Sequence, residues 1–362
     1  MKPYVYNPLL KAQQSIRLLQ ILPGSAGQDV RCVLYDYTIQ QDRASGPYEA
    51  LSYVWGNSDD KHRIFVEADQ SVPPGKSQSY LEITRNLFVA LRRFRDRFAP
   101  RLVWIDAICI NQQDVVERAL QVHFMANIYF HTSRVIVWLG EEADDSGDLL
   151  AQIEETAIRN RDSFGDSSSQ STRSAELLQY RKETQISKKA LMRFLERPWF
   201  HRIWVLQEVA AGRCLLLVCG QAEVTGTTFT HGLLACLHNL EPSHRNFGAS
   251  VVHMMSWEAP GLQYRGTGST ISNDGQEVCL GILPLGQLLD RFHEHDASDP
   301  RDKIYALLGI CRSSDHSSPL LMPDYTKSWS AVFQAAIHYL LGSASIVTTW
   351  NDRQQAVVTG YG

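Results

Sequence analysis

The sequence predicts an α/β protein with a mainly parallel β-sheet that helices flank on both faces. Strand-like and helix-like segments alternate through the first two-thirds of the 362 residues, as expected when helical crossovers join parallel strands. An apolar strand-like segment ends in a polar loop at residues 52–57, as a buried strand does when it delivers a loop to a site. Residues 106–111 lie at the end of a second apolar strand-like segment, which carries one acid. Hydrophobic residues make up 44% of the chain, which is enough for a large core.

The elements follow from the hydrophobic periodicity. In chain order, it predicts a strand at 50–55, a helix at 82–98, a strand at 102–109, a helix at 115–129, a strand at 135–139, a helix at 200–211 and a strand at 214–219. Two earlier segments, 16–22 and 31–39, predict a β-hairpin or two edge strands, separated by a Pro-Gly-Ser-Ala-Gly turn. After residue 220 the pattern predicts a mostly helical subdomain with helices at 231–240, 285–293 and 329–341.

These elements divide the chain into three parts. Residues 1–45 form an N-terminal β extension, residues 46–225 the α/β core, and residues 226–362 the helical C-terminal part. A polar insertion at about 141–187 interrupts the core. Because its segment 163–174 is rich in Ser, Asp and Gly, we expect that segment to be exposed and easily cut by protease.

Composition excludes several classes of function. The net charge of −4 gives no basic surface for nucleic acid. Seven scattered cysteines favour reduced thiols over a disulfide framework. No apolar run is long enough to span a bilayer, and the N-terminal residues lack the apolar core of a signal peptide. We therefore expect a cytoplasmic protein without a membrane span.

Two polar clusters fit structural roles better than chemical ones. Neighbouring residues in the His- and acid-rich segment 291–296 point in different directions on a helix, so we expect no metal site there. Glu117 and Arg118 follow Asp114 at the start of a helix, where surface pairing or capping is expected.

Glu208 is an acid on an otherwise apolar and aromatic helical face. Trp204 lies one turn earlier on the same face. A carboxylate in such surroundings is costly to desolvate, so it needs a partner or a task. Glu208 either forms a buried structural salt bridge with Arg202 or Arg213, or belongs to a functional site.

Several long motifs resemble the fungal heterokaryon-incompatibility (HET) domain. They are YEALSYVWGN, LVWIDAICINQQD with ERALQVHFMANIY, VIVWLG, RPWFHRIWVLQEVAAGR, ASDPRDKIYALLG and PDY, between about residues 16 and 325. The resemblance implies a cell-death effector in fungal non-self recognition. It also implies self-association, and a separate sensor or incompatibility partner protein.

The order of elements is also similar to the flavodoxin-like TIR domain. The segment RIWVLQEV resembles its Trp-x-x-x-Glu element, which falls on Trp204 and Glu208. In TIR domains that cleave NAD this glutamate is catalytic. The resemblance thus implies that Glu208 stabilises a ribosyl cation in a cleft bordered by residues 52–57 and the end of the Asp106 strand. No metal or cofactor is required, and NAD or a related nucleotide is the expected substrate.

The same resemblance implies the residues that bind the substrate. Ser52, Trp55 and Gly56 would line the pocket together with Trp204, and Asp106 could contact a ribose hydroxyl. The loop after Asp106 departs from the TIR pattern because it is more apolar. A non-enzymatic signalling module that acts by homotypic assembly or partner binding is therefore the alternative to an NAD glycohydrolase.

Overall fold

The structure of the chain is a computed structural model. It describes residues 1–9, 14–40, 45–67, 79–165, 187–237, 250–252, 254–255, 280–349 and 356–359.

Ten of the described strands form one mixed sheet, and two more form a small antiparallel ribbon. The strands are β1 (Lys2–Pro3), β2 (Ser15–Ile21), β3 (Arg31–Thr38), β4 (Glu49–Tyr53), β5 (Lys61–Val66), β6 (Ser79–Thr84), β7 (Arg101–Trp104), β8 (Arg134–Trp138), β9 (Leu215–Cys219), β10 (Ala222–Thr225), β11 (Ile346–Thr349) and β12 (Ala356–Thr359). The order in the large sheet is β1-β6-β5-β3-β2-β7-β4-β8-β9-β10.

Helices flank this sheet. Those with described bounds are α1 (Arg85–Phe94), α2 (Asp106–Cys109), α3 (Val115–His123), α4 (Met125–His131), α5 (Ser146–Gly165), α6 (Lys188–Leu195), α7 (Trp204–Ala211), α8 (Gly226–Leu237), α9 (Leu285–Phe292), α10 (Asp302–Leu308), α11 (Ser313–His316) and α12 (Trp329–Leu341). A 3₁₀ helix at Pro198–His201 precedes α7. The predicted α/β class, with a large and mostly parallel core flanked by helices, is confirmed.

The four strands β7, β4, β8 and β9 are adjacent and parallel, as the sequence predicts. Four of the five residues of both β4 and β8 are buried, which is typical of parallel strands that are covered on both faces. After β4 the chain forms β5 and β6 in the outer part of the sheet, then β7 on one side of β4, and then β8 on its other side. In open α/β sheets, ligands bind at such a switch point, outside the carboxyl ends of the strands.

Two tryptophans pack the core strands against helices, as predicted. Trp104 of β7 meets Tyr129 of α4 edge to face, with ring centroids 5.5 Å apart. Trp138 of β8 meets Phe94 of α1 in the same way at 5.7 Å. Both indoles are buried. Aromatic pairs of this geometry add about 1 kcal/mol beyond the area that they bury.

The predicted N-terminal hairpin is present. β2 and β3 are antiparallel over the register Ser15↔Thr38 to Ile21↔Cys32. β2 also pairs antiparallel with β7. The hairpin therefore extends the central sheet, and β5, β6 and β1 continue it outward.

Three predicted boundaries are wrong. The helix expected from residue 82 begins at Arg85, because residues 79–84 form β6 and pair with β5. The strand expected at 102–109 ends at Trp104, and Asp106 begins α2. The helix expected at 115–129 is two helices, α3 and α4, which meet at Phe124.

The segment before Glu208 is also irregular. Pro198 stands at the first position of the 3₁₀ helix, where its missing N–H costs nothing. Arg202 then adopts an extended backbone (φ −71°, ψ 135°), and α7 starts at Trp204. One continuous helix from residue 200 was expected. The break directs the Arg202 side chain toward the end of β4, where it meets the Tyr53 carbonyl.

In the C-terminal part, α9 and α12 match predicted helices closely, and the β11–β12 ribbon was not predicted. The segment 163–174 was expected to be sensitive to protease. From residue 166 onward it lies outside the described residues. Within the described residues, no helix is both long and apolar enough to cross a membrane.

Candidate functional site

The candidate site lies at the carboxyl end of β4, beside the switch point of the sheet. Ser52 comes from β4, Glu208 from α7, and Asp106 from α2, which directly follows β7. Three segments that are far apart in sequence therefore meet at one sheet edge, as the sequence predicts for polar groups near the ends of neighbouring parallel strands.

Ser52 and Glu208 form the centre of the site. The Ser52 hydroxyl donates a hydrogen bond to Oε2 of Glu208, and the Trp199 indole N–H donates to the Ser52 Oγ at 2.8 Å. A hydroxyl has one proton. Since the indole can only donate, the proton of Ser52 is directed at the carboxylate. Trp199 thus fixes the orientation of Ser52, a role that sequence reasoning missed.

Arg202 is the basic partner of Glu208. Its Nη1 lies 3.9 Å from the Glu208 Oε1 and donates a hydrogen bond to the Tyr53 carbonyl. Of the two basic partners that the sequence suggested, Arg202 is therefore the one in contact. The guanidinium of Arg213 lies instead over the Phe130 ring, 4.8 Å from its centroid.

Glu208 is buried, with 2% of its surface exposed. The expectation that its carboxylate faces an open cleft is therefore wrong: it borders Ser52 as predicted, but it lies in the interior. Burial raises the pKa of Glu208 to about 7, while Arg202 and the Ser52 hydrogen bond act in the opposite direction. The nearby Asp106 carboxylate contributes to this rise.

Asp106 forms the second acidic group of the site. Its Oδ2 accepts a hydrogen bond from the Trp55 indole at 2.8 Å, and its Oδ1 accepts one from the Ala107 N–H at 2.7 Å. Burial raises the pKa of Asp106, and Arg202 and these hydrogen bonds limit the rise. The Trp55 indole is 41% exposed, so its ring remains available at the rim of the site.

The loop after β4 is fixed by a residue that sequence reasoning missed. Asn86 of α1 donates to the Val54 carbonyl at 2.6 Å and accepts from the Trp138 indole at 2.9 Å. Gly56 has a φ of +81°, a conformation that side chains with a Cβ rarely adopt, and a Cβ there would lie 3.3 Å from that of Asn86. The glycine lets the exposed loop turn over α1.

Trp204 faces another cluster. Its indole N–H donates to Oδ2 of Asp302 at 3.0 Å, and the Tyr325 hydroxyl donates to Oδ1 of the same carboxylate at 2.7 Å. Trp204 thus connects the Glu208 helix to the C-terminal motifs, and its polar atom is not directed at Ser52 or Asp106.

A buried ion pair supports the Asp106 segment from behind. Arg17 binds Glu117 through two nitrogens, at 2.5 and 2.8 Å, and also donates to the Cys109 carbonyl at 3.1 Å. Glu117 accepts the Asn111 N–H at 2.7 Å. The expected surface role of Glu117 is therefore wrong, because it is only 7% exposed.

Within the described residues, no group of three or more His, Cys, Asp or Glu side chains could hold a metal ion. In the segment 291–296, the His293 ring binds the Asp290 carbonyl at 2.7 Å. The Lys303 ammonium donates to the His293 carbonyl at 2.8 Å.

Residues 48–208 match the family described as Heterokaryon incompatibility protein (HET). This segment of the chain is therefore similar to a HET domain. The matched region begins just before β4 and ends at Glu208, so it includes Ser52, Asp106 and Glu208 themselves. The resemblance that the motifs indicate is confirmed.

A curated relative extends the likeness beyond the HET domain. The chain is 28% identical over 359 residues to "Heterokaryon incompatibility protein 6, OR allele" of Neurospora crassa. This match covers 86% of the present chain and 49% of the Neurospora protein. The chain thus spans about half the length of this relative. No solved structure matches the chain.

Proposed function

We propose that this chain is a cell-death effector of heterokaryon incompatibility and that its HET domain hydrolyses the N-glycosidic bond of NAD or a related nucleotide. The HET match and the Neurospora relative support the biological role. The chemical activity rests on one observation, the buried Glu208 carboxylate that Ser52 orients beside Asp106 at the switch point of the sheet.

The reaction needs little from the protein except electrostatics. The bond between C1′ of the ribose and the pyridine nitrogen breaks, and its electron pair leaves with neutral nicotinamide. Water adds to C1′ and loses a proton, which gives ADP-ribose. Positive charge develops on the ribose in the transition state, and a preorganised carboxylate in a water-poor site stabilises it.

The residues then have distinct roles. Glu208 acts on C1′ as the catalytic carboxylate once the ligand has opened a path to this buried side chain, and Ser52 positions it. Asp106 binds a ribose hydroxyl, and the exposed Trp55 ring at the rim offers a surface for a flat base. Because Glu208 has a pKa of about 7 and acts as the ionised form, the rate rises with pH through about 7 and levels off above it.

Nicotinamide release from NAD by concentrated purified protein tests the proposal. Glu208→Gln keeps the shape of the side chain and removes its charge, and it lowers the rate about 100-fold or more. Glu82→Gln is the matched control, since Glu82 is an exposed carboxylate paired with Arg63 on β5. It leaves the rate unchanged.

Cell killing separates the enzyme from its alternative. If the wild-type protein releases no nicotinamide, or if a folded Glu208→Gln variant releases it at the wild-type rate, the proposed activity is wrong. A folded variant that has lost nicotinamide release and still kills cells points to homotypic assembly or partner binding. Thermal melting of each variant separates loss of chemistry from loss of fold.

A further inference from the structure

Arg202 is the most accessible charged group in contact with Glu208. Its side chain is 19% exposed, whereas Glu208 is 2% exposed. It also lowers the pKa of both Glu208 and Asp106, so its guanidinium acts on both carboxylates. A molecule that approaches Glu208 from solvent therefore meets Arg202.

The guanidinium of Arg202 is only partly used. A guanidinium carries five N–H donors. Nη1 donates to the Tyr53 carbonyl, and its 3.9 Å contact with Glu208 is longer than a hydrogen bond. Within the described part of the chain, Nε and Nη2 donate no hydrogen bond. By contrast, Arg17 uses both terminal nitrogens on Glu117 and two backbone carbonyls.

The position of Arg202 also favours a ligand. Its bond to the Tyr53 carbonyl places it at the last residue of β4, directly before the exposed loop that contains Trp55 and Gly56. A half-used arginine fork at the switch point of an α/β sheet fits a phosphate, which accepts two parallel N–H donors.

We propose that Arg202 binds a phosphate of the substrate and thereby selects pyridine dinucleotides over pyridine nucleosides. This inference rests on the proposed function and names the substrate class for it. NAD has an anionic diphosphate and a cationic pyridinium ring. On binding, the diphosphate draws the guanidinium away from Glu208, and the pyridinium ribose takes over the cationic position beside the carboxylate.

The comparison of two substrates tests this selection. NAD and nicotinamide riboside contain the same scissile bond and the same cationic ring, but only NAD carries phosphate. We expect the wild-type protein to cleave NAD with the higher kcat/KM. Arg202→Gln lowers the ratio of the two kcat/KM values about 10- to 100-fold, as expected for the loss of hydrogen bonds between charged groups. The ratio cancels any effect of Arg202 on the ionisation of Glu208, because both substrates need the same carboxylate.

Two further variants complete the design. Arg202→Lys keeps the charge and loses the fork, so it lowers the ratio by a smaller factor, and it decides the test if Arg202→Gln fails to fold. Arg63→Gln removes an exposed arginine that pairs with Glu82 at 3.2 Å on the distant strand β5. It leaves the ratio unchanged.

The outcomes separate this inference from the proposed function. If the wild-type protein cleaves both substrates equally, or if a folded Arg202 variant keeps the wild-type ratio, the inference is wrong and the hydrolase stands. If neither substrate is cleaved, the hydrolase is wrong, and calorimetric binding of ADP-ribose and adenosine decides the inference. If the wild-type protein binds ADP-ribose but not adenosine, and Arg202→Gln does not bind ADP-ribose, the result supports a phosphate site. If the wild-type protein does not bind ADP-ribose, the inference is wrong.

Discussion

The substitution Glu208→Gln should stabilise the fold at pH 8, although it removes a side chain that contacts an arginine. Burial raises the pKa of Glu208 from 4.5 to about 7. Between pH 4.5 and about 7, Glu208 is therefore protonated in the folded protein and ionised in the unfolded chain. The stability that this proton gives is fully present below pH 4.5 and is lost as the pH rises through about 7.

The magnitude follows from the pKa change. A rise in the pKa of Glu208 from 4.5 to about 7 corresponds to about 3 kcal/mol. By pH 8 the unfolding free energy of the wild-type protein is lower by this amount than it is below pH 4.5. Glutamine resembles the protonated acid and has no charge to desolvate. We expect Glu208→Gln to exceed the wild type by up to about 3 kcal/mol at pH 8 and by only about 1 kcal/mol at pH 5.

Urea unfolding at both pH values measures this difference, with the fluorescence of the eight tryptophans as the signal. Glu82→Gln is again the control, since an exposed ion pair contributes at most about 1 kcal/mol. A Glu208→Gln protein that is destabilised by about 3–5 kcal/mol at both pH values would refute the reasoning. Glu208 would then be an ionised structural partner whose loss leaves Arg202 unpaired.

Two further predictions concern stability alone. Arg17→Met removes one partner of a buried, doubly hydrogen-bonded pair and leaves Glu117 uncompensated, so urea unfolding should show a loss of about 3–5 kcal/mol; a loss below about 1 kcal/mol would contradict the geometry. Gly232→Ala places a Cβ 2.1 Å from the Ile153 carbonyl oxygen, where α8 meets α5, and should cost about 1–3 kcal/mol or more in the same experiment. A Cβ at Gly27 meets nothing within 4 Å, so Gly27→Ala is the control and should change stability by less than about 1 kcal/mol.

The parallel core could be predicted because its strands carry their own signal. β8 reads Arg-Val-Ile-Val-Trp and β9 reads Leu-Leu-Leu-Val-Cys, and such β-branched and apolar runs fit strands that are covered on both faces. The strands β5 and β6 lack this signal. In the segment Ser79–Thr84, residues from Glu82 onward were expected in the helix of α1, and pairing with Lys61–Val66 and Lys2–Pro3 makes the segment a strand. A local pattern contains no information on these distant partners.

The candidate site shows the same limit. Ser52, Asp106 and Glu208 could be singled out because each is a polar residue in an apolar segment or at its end. The interactions that orient them depend on contacts far apart in sequence: Trp199 lies 147 residues from Ser52, and Arg17 lies 100 residues from Glu117. Their spacing in sequence gives no indication of these pairs. Arg202 was recognised because it stands close to Glu208 in the chain.

In the described part of the chain, the Arg17–Glu117 pair and the Arg202–Glu208 pair differ in the way that the proposed function requires. In the Arg17–Glu117 pair, both side chains are buried, both carboxylate oxygens receive a nitrogen at 2.5 and 2.8 Å, and two further N–H donors reach backbone carbonyls. Such a pair compensates the cost of burying two charges. In the Arg202–Glu208 pair the contact is 3.9 Å, the arginine is partly exposed, and burial raises the pKa of the carboxyl. A pair of this kind contributes little to the stability of the fold. Its carboxylate can exchange one cation for another, which a site for a cationic sugar needs and a structural salt bridge does not.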